Sequence, residues 1–320
     1  MNILITNIGR RGYLVDYFRE AITPNEKIYT SDCDATASGL YGNNDGFFIL
    51  PKPVDDEKKY VTKLMNLCID KDIKLVVPVI DPEIFILSAY KDQFYEKGII
   101  ILVSDRKVLD ICYDKELMND FLLKNNFLVP KSYYSLSSFE NDYNKSQVGF
   151  PVYLKPIKGS GSVETYKVDN FATLRPLFHD GMMIQECLIG NEYGVDTLNT
   201  FSKSPVRCVI KRKVSMRSGE TDKSITVENT NIQNLFLLLA KKLGHIGNLD
   251  ADVIETPHGL YVIDLNPRFG GGYPATYAAG ENYPSLIIKM IKGERVEENF
   301  DGYAKNLLVM KEIKIRTHQL

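Results

Sequence analysis

The segment Asp252-Val253-Ile254-Glu255-Thr256-Pro257-His258-Gly259-Leu260-Tyr261-Val262-Ile263-Asp264-Leu265-Asn266-Pro267-Arg268 concentrates groups that bind hard cations and phosphate. Asp264 and Asn266 stand two apart in a strand-like run, so both side chains leave the same face. A tight turn at Pro257-His258-Gly259 folds the chain back and brings Asp252 alongside Asp264. Two carboxylates and an amide oxygen on one sheet face make an oxygen site suited to Mg²⁺. Arg268, just beyond, carries the planar fork that grips a phosphate oxygen bidentately. Any one of these acids is ordinarily a solvated residue on an exposed strand. The ordered set argues for more than that.

A second group is Tyr153-Leu154-Lys155-Pro156-Ile157-Lys158-Gly159-Ser160-Gly161-Ser162. Lys155 ends an apolar strand, and glycines follow that let backbone N–H groups approach a phosphate closely. The segment matches neither the P-loop pattern nor the dinucleotide fingerprint G-x-G-x-x-G, which speaks against an NAD site. Taken alone, a Gly-Ser stretch is more often a plain turn. A third group, Ile184-Gln185-Glu186-Cys187-Leu188-Ile189-Gly190-Asn191-Glu192, ends one strand and begins another. Its backbone suits an adenine edge and Glu192 suits ribose hydroxyls, although a charged β-turn explains the segment equally well.

The elements that position these groups change character along the chain. Ile3–Thr6, Leu75–Val79 and Ile99–Val103 are continuous apolar runs, as expected of strands covered on both faces. Between them, Tyr13–Ala21 is amphipathic, and Val61, Leu64, Met65 and Cys68 follow helical spacing. Residues 1–105 therefore read as a parallel α/β unit. Residues 105–126 read as helix, with Asp114 as an N-cap for Leu117, Phe121 and Leu122. Beyond Pro130 hairpins dominate: 151–156, 164–168, 183–188, 193–200, 206–214, and the pair 251–255 and 260–265. Thr230–Leu243 is a helix with Leu235, Leu238, Leu239 and Leu243 on its apolar side, closed by Gly244. Pro284–Ile291 is one more. Arg217, Ser218, Gly219 and Glu220 read as a polar loop.

The bulk composition excludes several classes. The 320 residues are 44% hydrophobic and 25% charged, with a net charge of −2, an ordinary balance that offers no global pull towards nucleic acid or anionic membrane. No apolar run approaches the length that spans a bilayer, and Arg10-Arg11 interrupts the start too soon for a secretory signal. Five scattered cysteines and four histidines lack zinc spacing, which fits reduced thiols and a cytoplasmic location.

The three segments occur in the order Lys-Gly loop, Glu turn, Asp-Leu-Asn-Pro-Arg. In this the chain resembles the ATP-grasp superfamily, most closely its carbamoyl-phosphate-synthetase-like carboxylate–amine ligases. The resemblance runs from the N-terminal α/β unit to about Tyr283. It implies an α/β parallel-sheet domain (1–105) followed by an α+β ATP-grasp fold, whose small subdomain (106–185) and large subdomain (186–320) clasp ATP. By similarity, Lys115 and Lys155 hold phosphates, aided by the loop Gly159, Ser160, Gly161 and Ser162 that closes over ATP. Glu186, Cys187 and Leu188 line the adenine hinge, Glu192 binds ribose, and Lys211 or Arg212 adds a phosphate contact. Asp252, Asp264 and Asn266 ligate Mg²⁺, with Mn²⁺ as a substitute, and Arg268 contacts phosphate. The family commonly has Glu or Gln at the position of Asp252 and Glu at that of Asp264. Aspartate is one methylene shorter, so the metal would need a closer strand.

The resemblance implies that a substrate carboxylate becomes an acyl-phosphate and an amine then displaces phosphate. Lys155, Arg268 and Arg217 are the candidate catalytic groups, with Arg217 on a substrate carboxylate and the backbone of Gly270-Gly271-Gly272 lining its pocket. Arg10, Arg11, Asp81 and Glu83 lie at strand-to-helix junctions, the usual ligand position in a parallel sheet. The expected partners are small carboxylates and amines: an amino acid, a peptide or an acidic sugar. A homodimer is compatible with the chain. A phosphotransferase and a non-catalytic nucleotide-binding protein are the competing readings.

Overall fold

The computed structural model describes residues 1–159, 164–217 and 219–319. Ser160, Gly161, Ser162 and Ser218, all named above, lie outside the described residues. The chain opens with a parallel sheet of order β3-β2-β1-β4-β5, built from β1 (Asn2–Thr6), β2 (Ile28–Asp32), β3 (Gly46–Ile49), β4 (Ile73–Pro78) and β5 (Ile100–Ile101). Helices α1 (Tyr13–Arg19), α2 (Glu57–Asp70) and α3 (Asp81–Tyr95) follow β1, β3 and β4. Alternation along β1 and β4 explains their unbroken apolar runs. Ile3, Ile5, Leu75 and Val77 enter one core, while Leu4 and Val76 enter the core on the opposite face with Tyr60, Leu64 and Leu87. The expected strand at 99–103 is shorter than its apolar run.

The helical stretch after residue 105 is two helices, α4 (Arg106–Tyr113) and α5 (Lys115–Lys124). Asp114 between them is extended, and its carboxylate accepts from the backbone N–H groups of Glu116 and Leu117 at 3.0 and 3.2 Å. This is the expected N-cap, and it also breaks the helix. A four-stranded sheet of order β6-β9-β7-β8 follows: β6 (Ser132–Tyr133), β7 (Val152–Pro156), β8 (Tyr166–Val168) and β9 (Met182–Glu186), with α6 (Leu136–Asn144) and α7 (Phe171–Leu177). It has its own core of Tyr133, Phe139, Val152, Leu154, Leu174 and Ile184. Helices α4 and α5 do not share that core. Val108, Cys112, Met118 and Leu122 pack with the next sheet.

That sheet has six strands in the order β14-β13-β10-β11-β12-β15: β10 (Asn191–Asn199), β11 (Pro205–Arg217), β12 (Glu220–Thr226), β13 (Gly247–Thr256), β14 (Gly259–Asn266) and β15 (Leu308–Met310). With it go α8 (Thr230–Leu243), α9 (Tyr273–Ala278) and α10 (Tyr283–Ile291). Gly244 closes α8 at φ 67°. The buried face of α8 is Ile232, Phe236, Leu239, Ala240 and Leu243, and Leu238, expected inside, is 48% exposed. Leu238 falls on the outer side of the helical wheel once Phe236 and Ala240 set the stripe. Arg217 pairs with Glu220 across β11 and β12, so the stretch read as a loop borders a further strand, β12, that precedes α8. One core spans the parallel and six-stranded sheets, joining Ile5, Leu14 and Phe18 to Leu198, Val209, Phe269, Tyr273 and Ile287. No helix among the described residues is long and apolar enough to cross a membrane.

Candidate functional site

The β13–β14 hairpin pairs Asp252 with Asp264 and Asp250 with Asn266. These four polar groups therefore share one face of the sheet edge. Asn266 Nδ2 donates to Asp264 Oδ2 at 3.1 Å. Arg268 is held from two sides: its Nε donates to Asp81 Oδ1 at 3.0 Å, and Nη2 donates to Asn266 Oδ1 at 3.2 Å. Asp250 lies 3.8 Å from Arg268 Nη1. Burial, with Asp196 nearby, pushes the Asp250 carboxyl well above the ordinary aspartate range. A Cβ at position 270 would sit 1.9 Å from Asp250 Oδ2, so the glycine there leaves room for that carboxylate. Asp250 was missed at the level of sequence, although the alternation that pairs Asp264 with Asn266 also pairs Asp250 with Asp252.

Facing the acids is a basic wall. The junction of α4 and α5 is zipped onto the chain after β7. Lys115 N–H donates to Ile157 O at 2.9 Å, and its ammonium donates to Gly159 O at 2.6 Å. The Lys155 ammonium has no hydrogen bond or ion pair among the described residues, yet it is recessed. Burial, and then the Lys115 charge, lower it to about 8, against the pull of Asp264 and Asp252. Two converging lysines, one of them without an ion pair among the described residues, form a site that asks for an anion.

The third basic group differs from expectation. Lys211 is 2% exposed and ion-paired with the buried Asp196, which also accepts from Thr276. It therefore braces the Gly272 region, 3.4 Å from Gly272 O, and does not face open solvent. Arg212 points to the exposed opposite face of β11. The cation that reaches the acids is Lys213, 2.7 Å from both Asp252 Oδ1 and Glu192 Oε1. Burial works against its charge, but the two carboxylates outweigh that and hold it above the ordinary lysine value. Residues 211 and 213 share a face by strand alternation, and only depth separates them. Depth was not written in the local pattern.

Glu186 ends β9, and its Oε1 accepts from Lys131 N–H at 2.7 Å. Cys187 and Leu188 are half-buried, and the chain turns at Gly190 into β10. A Cβ at Gly190 would lie 2.1 Å from the Glu255 carbonyl oxygen. Gly190→Ala is expected to cost about 1–3 kcal/mol of stability by overpacking against backbone, measurable as a lower urea midpoint at unchanged slope.

The substrate-side candidates separate in the same way. Arg217 and Arg10 are exposed, and neither is brought to the acidic face. Glu83 is fully buried, where Tyr60 donates to it, so it is not a surface ligand. Asp81 is the residue that reaches the site, through Arg268.

Among the described residues, no three His, Cys, Asp or Glu side chains are grouped to hold a metal ion unaided. Asp252, Asp264 and Asn266 offer an incomplete oxygen set, which fits a hard cation that keeps waters and completes its shell with phosphate oxygens. Burial raises Asp252 despite Lys213 beside it, so a divalent charge here relieves a cost already present in the fold.

Two family models match the chain: a PylC-like N-terminal domain over residues 3–102 and an ATP-grasp domain over residues 112–272. A carbamoyl-phosphate synthase of Methanobrevibacter smithii is 23% identical over 305 residues, covering 90% of this chain and 80% of that protein. Among solved structures, the biotin carboxylase domain of Hydrogenobacter thermophilus 2-oxoglutarate carboxylase, a dimer with MgADP and bicarbonate, superposes with a TM-score of 0.73 at 15% identity. That match covers 96% of this chain and 73% of the other. The L-amino acid ligase of Bacillus licheniformis gives 0.69 at 18% identity, covering 91% and 74%. The likeness to these structures is one of fold, a parallel sheet leading into two antiparallel sheets, and with the ATP-grasp model matching half of its residues the chain belongs to the ATP-grasp family.

Proposed function

We propose that the protein is an ATP-dependent ligase that activates a carboxylate as an acyl-phosphate for attack by an amine, releasing ADP and phosphate. The observation that carries this reading is Lys155, a recessed ammonium beside Lys115 with no ion pair among the described residues, in the field of Asp252 and Asp264. In this reading Lys115 and Lys155 bind the phosphates of ATP, clasped between residues 106–185 and 186–320. The strand end at Glu186, Cys187 and Leu188 takes the adenine and Glu192 the ribose. Asp252, Asp264 and Asn266 would hold Mg²⁺, or Mn²⁺ in its place, which neutralises phosphate charge when bound. Arg268, fixed by Asp81 and Asn266, steadies the charge that develops on the transferred phosphoryl group. No protein nucleophile is required, since the carboxylate itself attacks the γ-phosphorus. The substrates are small carboxylates and amines, the chain acts in the cytosol, and a homodimer is the assembly we favour.

The test is product analysis with ATP·Mg²⁺ and pooled carboxylates and amines. A ligase yields ADP, free phosphate and a condensed mass. Phosphate retained on an organic product would instead make it a phosphotransferase. A second expectation comes from Lys155, lowered to about 8 in the free protein. Phosphate oxygens restore its proton, so nucleotide binding at about pH 8.5 takes up most of one proton. Uptake shrinks as pH falls below the lysine's own value. Calorimetry in buffers of different ionisation enthalpy reads this directly, and Lys155→Met should remove it.

A further inference from the structure

One ammonium joins two groups with different proposed partners, Glu192 for ribose and Asp252 for metal. Lys213 on β11 reaches Glu192 Oε1 on β10 and Asp252 Oδ1 on β13, each at 2.7 Å, the length of a charge-assisted hydrogen bond. Asp252 lies two strands from Lys213, so the lysine stem must cross β10. Gly194, paired with Lys211 on one side and Asp252 on the other, leaves that crossing open. A Cβ there would already touch Lys213 Cε and Asp252 Oδ1, both at 3.7 Å, and a longer side chain would stand between them. The lysine side chain is 7% exposed, against 26% for Asp252 and 38% for Glu192. Among the described residues neither carboxylate has another ion pair.

An ammonium is a compact point charge with three donors. Seated between two carboxylates, it supplies at Asp252 what a hard cation would supply. The opposite wall is the reverse case, since the Lys155 ammonium has no ion pair among the described residues. The free chain therefore has its cation position filled and its anion position open. A divalent cation by itself must displace Lys213 from a recessed, doubly paired seat. A metal carried by a nucleotide meets different terms. Ribose hydroxyls then donate to Glu192, and the lysine charge that leaves Asp252 finds phosphate oxygens in its place.

Resting on the ligase reading above, we propose that Lys213 is a resident counter-ion that keeps free divalent metal off Asp252, so that the metal enters only with its nucleotide. Lys213 acts through Asp252 and Glu192, as a positioning residue, and no bond is made or broken at it. Between turnovers it neutralises the two carboxylates and holds them in place. It gives way when a ligand brings both the metal for Asp252 and the anion that the released ammonium needs.

The experiment uses the full chain and MgCl₂ alone, with NaCl at equal ionic strength as the control. The thermal midpoint of the parent should not respond to MgCl₂. Lys213→Met keeps the stem and removes the charge. Without metal its midpoint should fall by about 5 °C or more, as when a recessed ion pair loses one partner, and MgCl₂ should restore most of that loss. Calorimetric titration should show Mg²⁺ binding to Lys213→Met about tenfold or more tighter than to the parent, the worth of one charged hydrogen-bonded contact. Lys213→Arg keeps the charge and should stay as insensitive to MgCl₂ as the parent. Adding Asp252→Asn to Lys213→Met should remove the rescue. Should Lys213→Met not fold, Lys213→Gln retains a donor for one carboxylate and is read in the same way. Equal Mg²⁺ affinity in parent and variant, or a lost midpoint that MgCl₂ does not restore, would overturn this inference. Stabilisation of the parent by Mg·ADP would still leave the ligase reading standing, whereas no stabilisation of either protein by Mg·ADP would overturn both.

Discussion

Lys155→Met is expected to lower ADP-forming turnover by about 10²–10³-fold, the usual cost of removing one preorganised charge from a developing oxyanion, while leaving the folded protein no less stable. The two halves of this expectation have the same cause. Burial and Lys115 lower Lys155 to about 8, below its value in an unfolded chain. Below the folded value both states carry the charge, and the folded state bears the full cost of holding it in a poorly solvated place beside another lysine. Between about 8 and the unfolded value the unfolded chain binds more protons, so that cost fades as pH rises. Methionine keeps the length of the side chain and removes the charge. The variant should therefore match or exceed the parent in thermal midpoint at neutral pH, with the difference shrinking in alkali. A site that stores instability to bind phosphate behaves in this way. Turnover within threefold of the parent would remove Lys155 from the phosphate site. A lower midpoint at neutral pH would instead show its ammonium to be structurally paired.

The sequence disclosed those parts of the fold and site that depend on local periodicity. The β13–β14 register followed from one turn at Pro257-His258-Gly259 and a two-residue alternation, so Asp252 could be set opposite Asp264 before any coordinates. The same is true of α8 and its Gly244 stop, and of the Asp114 cap. What stayed hidden depends on depth and on distant partners. Lys211 and Lys213 are equivalent in pattern, and only packing from α9 buries the first against Asp196 and Thr276. Asp81 and Arg268 are 187 residues apart, and no local signal joins them. Arg11 and Glu220 pair, 3.7 Å apart, because the parallel and six-stranded sheets share a core. The short strand β2 escaped notice because polar residues fill its second half, β3 because its apolar run is so short, and β12 because Glu220-Thr221-Asp222-Lys223 reads as loop until the strand is paired on both sides. Residues 106–130 read as the start of the small clasping unit, yet α4 and α5 bury their apolar faces under the larger sheet. Helical periodicity states that a face is buried without saying against what.

Asp264→Asn tests the other wall of the site, and its expected loss is of the same order: about 10²-fold or more in turnover, the several kcal/mol that a bound cation contributes to phosphoryl transfer. The substitution is nearly isosteric. Asn266 Nδ2 donates to Asp264 Oδ2 at 3.1 Å, and the new side-chain amide can present its own oxygen to the same donor. The register of β13 and β14 is fixed by backbone pairing along the whole hairpin, so stability should change by no more than about 1 kcal/mol. The lost property is charge, and charge is what draws Mg²⁺ into an incomplete oxygen set. The Mg²⁺ concentration for half-maximal turnover should rise by about tenfold or more, whereas binding of metal-free ADP should be unchanged or slightly tighter, since one negative group has gone from the phosphate neighbourhood. Asp252→Asn supplies the contrast. Asp252 already shares Lys213 with Glu192, so part of its charge is neutralised within the protein, and its replacement should shift the Mg²⁺ dependence less. Equal shifts in both variants would mean that the cation bridges the two aspartates symmetrically. No shift in either, with turnover intact, would mean that the acidic face serves the fold and that any metal chemistry lies elsewhere.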